Sequence, residues 1–330
     1  MSGAAIAGGA AFLVAGTLVP LLVRFAVGRS LLDVPNLRSS HEVPTPRLGG
    51  IAIILGTWVG VVLLRPEGAW PLLVAATLIG AVGLADDLST LHFGPKAAAQ
   101  TLVASGLVLL SPPQLLSGAP GALKIAAFVV GVFWIVALSN AFNFMDGIDG
   151  FIGGVALVNV LFLAALVGET CAALPALAGA TAGFLVWNIG PASIFLGDSG
   201  SYFLGFGLAA TALYAPVPGS GWTPLGFVAC ALVFTPLLFD TAYTLAVRLR
   251  AGKNIFSAHR EHIYQRITPT AAMHRRTSNL YYGASVVAGF AASLVAGGGA
   301  PMVAGLALAL ALCAGLAALP YLVDTENESG

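Results

Sequence analysis

Long apolar runs and short polar breaks alternate along all 330 residues of the chain. The runs lie near residues 4–27, 49–64, 70–85, 96–111, 122–138, 151–167, 172–187, 201–215, 223–247, 279–297 and 301–322. Inside each run the apolar residues are continuous and do not alternate with a period of two, which excludes a transmembrane β-barrel. A helix needs about 20 apolar residues to cross a bilayer core of about 30 Å. The pattern predicts an all-α polytopic integral membrane protein with 10–11 transmembrane helices, built as one membrane domain over residues 1–330.

Composition agrees and adds an orientation. The chain is 58% hydrophobic and 8% charged, with 14 Lys and Arg against 14 Asp and Glu. A net charge of zero gives no reason to expect nucleic acid, yet the charges are unevenly placed. With the N-terminus outside, eleven spans put residues 28–48, 86–96, 139–150, 188–200 and 248–278 in the cytoplasm. Of the 14 cations only Arg65 and Lys124 then lie outside, as the positive-inside rule requires. The first cation, Arg24, follows the first apolar run, whereas a secretory signal carries its charge before it. That run therefore reads as a retained span. Cys171, Cys230 and Cys313 are odd in number and scattered, so they read as packing residues, neither disulfide-bonded nor metal-binding.

The remaining polarity falls in the loops of the predicted cytoplasmic face: "DVPNLRSSHEVPTPRLGG", "GLADDLSTLHFGPK", "NAFNFMDGIDG", "WNIGPASIFLGDSGS" and "RLRAGKNIFSAHREHIYQRI". The outer loops, such as "PPQLLSGAPG" and "APVPGSGW", hold nothing convergent. Asn140, Asn143, Asp146 and Asp149 recur at every third position, and Gly147 and Gly150 suit a broken or 3₁₀-like turn. Such a turn is expected to gather its amides and carboxylates on one site; capping and loop solvation is the plainer reading of an isolated N-x-x-D.

Other acids share that face. Asp86 and Asp87 are adjacent and repel unless a cation or proton is shared. Asp198, in "FLGDSGS", follows a glycine turn at the mouth of a span. The loop over 248–276 is basic, with Arg248, Arg250, Lys253, Arg260, Arg266, Arg275 and Arg276. Oxygen donors opposite a basic loop suit a magnesium–diphosphate site, and no His/Cys set has zinc-like spacing. The absence of G-x-x-x-x-G-K-[ST] excludes a P-loop enzyme. Asp240, inside "FTPLLFDTAYTL", is an acid within an apolar run.

Taken together in order, these five loops resemble those of the polyprenyl-phosphate N-acetylhexosamine-1-phosphate transferases over residues 33–270. The resemblance implies a phosphotransferase of the cell inner membrane. It would move an N-acetylhexosamine 1-phosphate from a UDP-sugar to undecaprenyl or another polyprenyl phosphate, releasing UMP. Asp198 matches the family's magnesium aspartate and Asn143 an asparagine beside it, with Mn²⁺ as a substitute for Mg²⁺. Asp86 and Asp87 match twin aspartates near the lipid phosphate, and Asp146 and His262 are placed with them as catalytic groups. Asp149, Asn188 and Phe195 match uridine-holding positions, Phe195 as the stacking platform. Asn140, His259 and Arg260 are placed on the substrate side. Tyr264 and Gln265 depart from the histidine-rich loop of the enterobacterial-antigen enzymes. That departure likens the chain to O-antigen initiators and points to these two residues as selectors of the sugar.

Two anions must meet in such a reaction, so charge neutralisation should dominate. A phosphate monoester has a second pKa of about 6, so the nucleophile needs no base, and Asp86 and Asp87 serve equally well as positioning groups. Two rivals stay open. One is the phospho-N-acetylmuramoyl-pentapeptide transferase of peptidoglycan synthesis. The other is a lipid-linked sugar transporter or flippase, which should show matched broken helices in two halves. Pairing of two copies as a homodimer is compatible with either class.

Overall fold

Each of the eleven apolar runs forms helix in the computed structural model, which describes residues 2–35, 43–66, 68–113, 120–171, 173–215, 223–255, 257 and 259–328. In chain order these are α1 (Gly3–Gly28), α2 (Gly49–Leu64), α3 (Ala69–Ser89), α4 (Phe93–Leu110), α5 (Gly121–Phe144), α6 (Phe151–Val167), α7 (Leu174–Asn188) and α8 (Gly197–Tyr214). There follow α9 (Pro224–Leu232), α10 (Thr235–Arg250), the single turn α11 (Ile263–Arg266), α12 (His274–Ala296) and α13 (Gly299–Glu328). The chain is thus an all-α, multi-pass membrane protein. The outer loop "APVPGSGW" from 216 onward and residues 36–42 of the first polar loop lie outside the described residues.

Two features differ from the one-run, one-span reading. The run 223–247 is two helices bent by 80° at Val233–Phe234. Pro236, early in α10, has no N–H to carry the ladder across the break. Among the described residues, six helices are long and apolar enough to span by themselves, and seven if the bent pair is one span. α2, α6 and α7 have 16, 17 and 15 residues, or about 22–26 Å at 1.5 Å per residue.

The helices differ in how far they are buried. α1, α4 and α5 bury only 22% of their apolar stretch, so these face lipid. In α8, fifteen of 18 residues are buried, so it forms the centre. Small residues allow the inner helices to approach closely. Ala7, Ala11 and Ala15 make one fully buried stripe on α1. On α7, a Cβ added to Gly179 would stand 2.0 Å from the carbonyl oxygen of Gly8. Buried apolar residues from Ala11 to Leu316 form one contiguous cluster.

Strands β1 (Leu32–Asp33) and β2 (Thr45–Pro46) pair antiparallel at one end of the bundle. This hairpin is stitched to the loop before α8. Phe195 N–H donates to Pro46 carbonyl at 2.7 Å, and Gly49 N–H donates to Phe195 carbonyl at 3.0 Å. The first and fourth polar loops therefore meet.

Candidate active site

α3 ends with Asp86 and Asp87, and α8 begins at Gly197 and Asp198, so two helix termini converge where the polar loops gather. Two glycines permit the approach. A Cβ on Gly83 would lie 2.3 Å from Asp198 carbonyl oxygen, and Gly197 has a φ of +74°, in the left-handed region. Asp87 then caps α8 from outside. Its Oδ1 accepts from Asp198 N–H at 2.9 Å and its Oδ2 from Ser199 N–H at 3.0 Å. A carboxylate there satisfies orphan donors and complements the helix dipole. With both oxygens engaged, Asp87 fixes the first turn of α8 and with it the backbone of Asp198.

Asp86 turns towards the site. Its Oδ2 accepts from Lys96 Nζ at 2.7 Å, its other oxygen accepts from Leu91 N–H, and the same ammonium reaches Asp198 Oδ2 at 3.4 Å. Lys96 Nζ also lies 6.0 Å from the centroid of the Tyr202 ring. Asp146 completes the cluster. Burial first, then the negative charges of Asp198 and Asp87, push its carboxyl well above the usual range, while Arg47 opposes the shift. Arg47 is itself held by Asp33 at 2.5 Å. Four carboxylates thus face Lys96 and a shared arginine, which is a deficit of positive charge.

The turn that follows α5 does not gather its four polar groups as expected. The helix runs through Phe144, so Asn140 and Asn143 are helical, and Asp146 and Asp149 lie beyond its end. From there they fan outwards. Asn140 Nδ2 donates to Gln100 Oε1 at 2.6 Å, behind the site, and Asn143 Nδ2 donates to Ser201 Oγ at 3.1 Å. Asp149 Oδ2 accepts from Ala192 N–H at 3.1 Å, and His274 Nδ1 lies 3.7 Å from its Oδ1. Only Asn143 and Asp146 face the carboxylate cluster.

Asn188 is buried and bridges two segments. Its Oδ1 accepts from Gly150 N–H at 3.1 Å and its Nδ2 donates to Ile194 carbonyl at 2.8 Å. It thereby clamps the turn to the loop 189–196. Phe195 and Asp149, both half-buried on the segments it joins, stay in reach of one.

The basic loop is partly self-satisfied. Arg248 is buried and donates to Glu261 at 2.6 Å, Asn254 carbonyl at 2.7 Å and Ser257 Oγ at 2.9 Å. Lys253 holds the same Glu261 at 3.1 Å and draws its carboxyl below the usual range. Arg260 is exposed. His259 and His262 stack at 5.0 Å, and burial with the nearby charges of His262 and Arg248 brings His259 down to about 4. Tyr264 is fully buried: its ring stacks on Phe151 at 4.9 Å and its hydroxyl donates to Phe144 carbonyl at 3.3 Å. Gln265 Oε1 accepts from His262 N–H at 3.3 Å, tying down the start of α11. The hydroxyl of Tyr264 and the Oε1 of Gln265 are thus used within the fold.

The donor set fits a hard divalent cation. Asp198 and Asp146 offer carboxylate oxygens, and Asn143, its nitrogen tied to Ser201, offers an amide oxygen. The repulsion felt at Asp146 is what a cation would relieve. Among the described residues no three His, Cys, Asp or Glu form a ready ligand cage. Magnesium needs none, since it takes one or two carboxylates and completes its shell with water and phosphate oxygens. These donors fit Mg²⁺ or Mn²⁺ and lack the thiolates or imidazoles of a zinc site.

Sequence reading passed over Lys96, although a signal was there. A cation in the first turn of a helix opposes the dipole, and α4 carries it at its fourth residue. Such a placement needs nearby anions. Gln100 and Ser201, which orient the two asparagines, gave no comparable signal.

The family model for glycosyl transferase family 4 matches residues 69–215. Similar proteins include the decaprenyl-phosphate N-acetylglucosaminephosphotransferase of Mycobacterium tuberculosis, 31% identical over 89% of this chain and 83% of its own length. A probable undecaprenyl-phosphate N-acetylglucosaminyl 1-phosphate transferase of Bacillus subtilis is 29% identical over 80% and 77%. The undecaprenyl-phosphate alpha-N-acetylglucosaminyl 1-phosphate transferase of Thermotoga maritima is 33% identical over 76% and 78%.

Proposed function

The chain belongs to glycosyl transferase family 4, and on that premise we propose that it transfers an N-acetylhexosamine 1-phosphate from a UDP-sugar to a polyprenyl phosphate. The observation that carries this reading is the pair Asp86 and Asp198 around Lys96, with the carboxyl of Asp146 feeling the charge of Asp198, at the end of the bundle where the basic loop also lies. Left alone, such a cluster repels phosphates. With a dication it becomes a place where two of them can meet.

An oxygen of the polyprenyl phosphate attacks the β-phosphorus of the UDP-sugar, the anhydride to the α-phosphate breaks, and UMP leaves. Magnesium held by Asp198, Asn143 and Asp146 would supply the charge neutralisation this needs. Lys96 sits between Asp86 and Asp198, where it can orient a lipid phosphate already dianionic at neutral pH. Asp86 holds that ammonium and needs no proton-accepting role. Arg260 can bind phosphate oxygens with two parallel N–H groups. Phe195 provides a face for uracil, with Asp149 beside it.

The site faces the cytoplasm of an inner-membrane protein with its N-terminus outside, in accord with the charge bias of the loops. With Tyr264 and Gln265 assigned to structure, their departure from histidine no longer argues against N-acetylglucosamine. UDP-N-acetylglucosamine is thus the first donor to test, and initiation of O-antigen or another envelope glycan is the proposed pathway role. Purified protein in nanodiscs with undecaprenyl phosphate, magnesium and a panel of UDP-N-acetylhexosamines should release UMP and yield a lipid of matching mass. Labelled UMP should exchange back into the donor, because one phosphoanhydride is exchanged for another. Preference for UDP-N-acetylmuramoyl-pentapeptide would favour the peptidoglycan reading, and UMP release without lipid would mean hydrolysis.

A further inference from the structure

Asp240 has no part in that scheme, yet it is the centre of a dense polar network. It lies six residues into α10, fully buried, where an ionisable group is costly and marks function by default. Its Oδ1 accepts from His262 Nδ1 at 3.1 Å, Ile263 N–H at 2.9 Å and Thr244 hydroxyl at 3.3 Å. Its Oδ2 accepts from Tyr264 N–H at 3.0 Å and Tyr281 hydroxyl at 2.5 Å. The two main-chain donors cannot reverse, and they engage both oxygens.

Bonding to that carboxylate places the hydrogen of His262 on Nδ1, so Nε2 is the nitrogen left for other work. No described group is bonded to Nε2. His259 stacks on one side of the ring at 5.0 Å and Phe144 lies at 6.3 Å. Phe144 stands two residues before Asp146, and Tyr264 hydroxyl ties the loop to its carbonyl. The network therefore holds His262 beside the end of α5, next to the turn that carries Asp146.

We propose that Asp240 is a positioning residue for the transfer reaction: it locks His262 in the Nδ1–H tautomer and so offers Nε2 to the diphosphate. The proposal rests on the transferase reading for what Nε2 touches, but the lock itself can be measured without turnover. Histidine ¹⁵N spectra of the full chain in nanodiscs, with His262 assigned by comparison with His262→Gln, should show Nδ1–H. An Nε2–H tautomer in the unaltered protein overturns the proposal whatever the activity.

Turnover tests the second half. Asp240→Asn should lower kcat about tenfold to a hundredfold, the usual cost of losing a group that orients a ligand, with KM for the UDP-sugar within about twofold. On a His262→Gln background the same change should cost nothing further, because coupled groups are non-additive. Equal losses on both backgrounds would reduce Asp240 to a structural residue. Should Asp240→Asn not accumulate, Tyr281→Phe keeps the carboxylate and removes one donor. Its smaller loss of kcat should likewise vanish on the His262→Gln background. Absence of UMP release from the unaltered protein would sink the transferase reading, and the ¹⁵N spectra would still decide the lock.

Discussion

Two sets of buried acids stand within this bundle, and they are built on opposite principles. Asp240 accepts five hydrogen bonds from three helices, α10, α11 with its cap, and α12, and among the described residues meets no other carboxylate. Asp198 meets Asp86 and Asp87, holds Lys96 only at 3.4 Å, and leaves 28% of its side chain exposed. The first is an acid whose needs the protein satisfies. The second is an acid whose needs its neighbours leave unmet. Burial alone does not tell the two apart; the identity of the neighbours does.

The contrast is sharpest under mutation. Asp198→Asn keeps the shape and removes the charge that a hard cation requires, so UMP release should fall by about a thousandfold, the upper range for loss of one electrostatic group. Its thermal midpoint should hold or rise, because a repelled charge has gone. A matching fall in midpoint would dissolve the distinction between the two regions.

Asp240→Ala should lower the midpoint as well as turnover. It strands two main-chain N–H groups and the Tyr281 hydroxyl, at a cost of about 3–5 kcal/mol. Chemical denaturation in mixed micelles would register that loss, and an unchanged midpoint would refute the structural half of the comparison.

A third effect follows from Asp146. Its folded-state carboxyl is raised, so the native form retains a proton that the unfolded chain has released. Stability is then complete below the ordinary aspartate range and declines as pH rises through the raised value. Metal-free protein should melt at lower temperature as pH is raised from about 4 towards 8, and magnesium or Asp146→Asn should flatten the slope. A slope that neither change affects would place its source elsewhere.

The smallest expected effect belongs to Tyr264→Phe. Loss of the bond to Phe144 carbonyl should cost about 1 kcal/mol of stability and leave the order of preference among UDP-sugars unchanged. A shifted donor preference would return Tyr264 to the sugar.

Membrane class, number of apolar runs and identity of the polar loops were all legible in the sequence, because hydropathy and charge bias act segment by segment. The grouping of Asp86, Asp146 and Asp198 was legible too, since spans that alternate in direction bring their loops to one end. What the sequence left undecided was the partner of each polar atom. Asp86 and Asp87 are neighbours in the chain, yet a helix turns successive residues by about 100°, so one meets Lys96 and the other caps α8. Four groups spaced by three appeared to converge and instead fan outwards, because α5 continues through Phe144 before the turn begins. The bend at Val233–Phe234 and the burial of Tyr264 were equally invisible. Local pattern fixes which residues lie at a helix end. Close packing through Gly83 and Gly197, a tertiary event between α3 and α8, decides which of them touch.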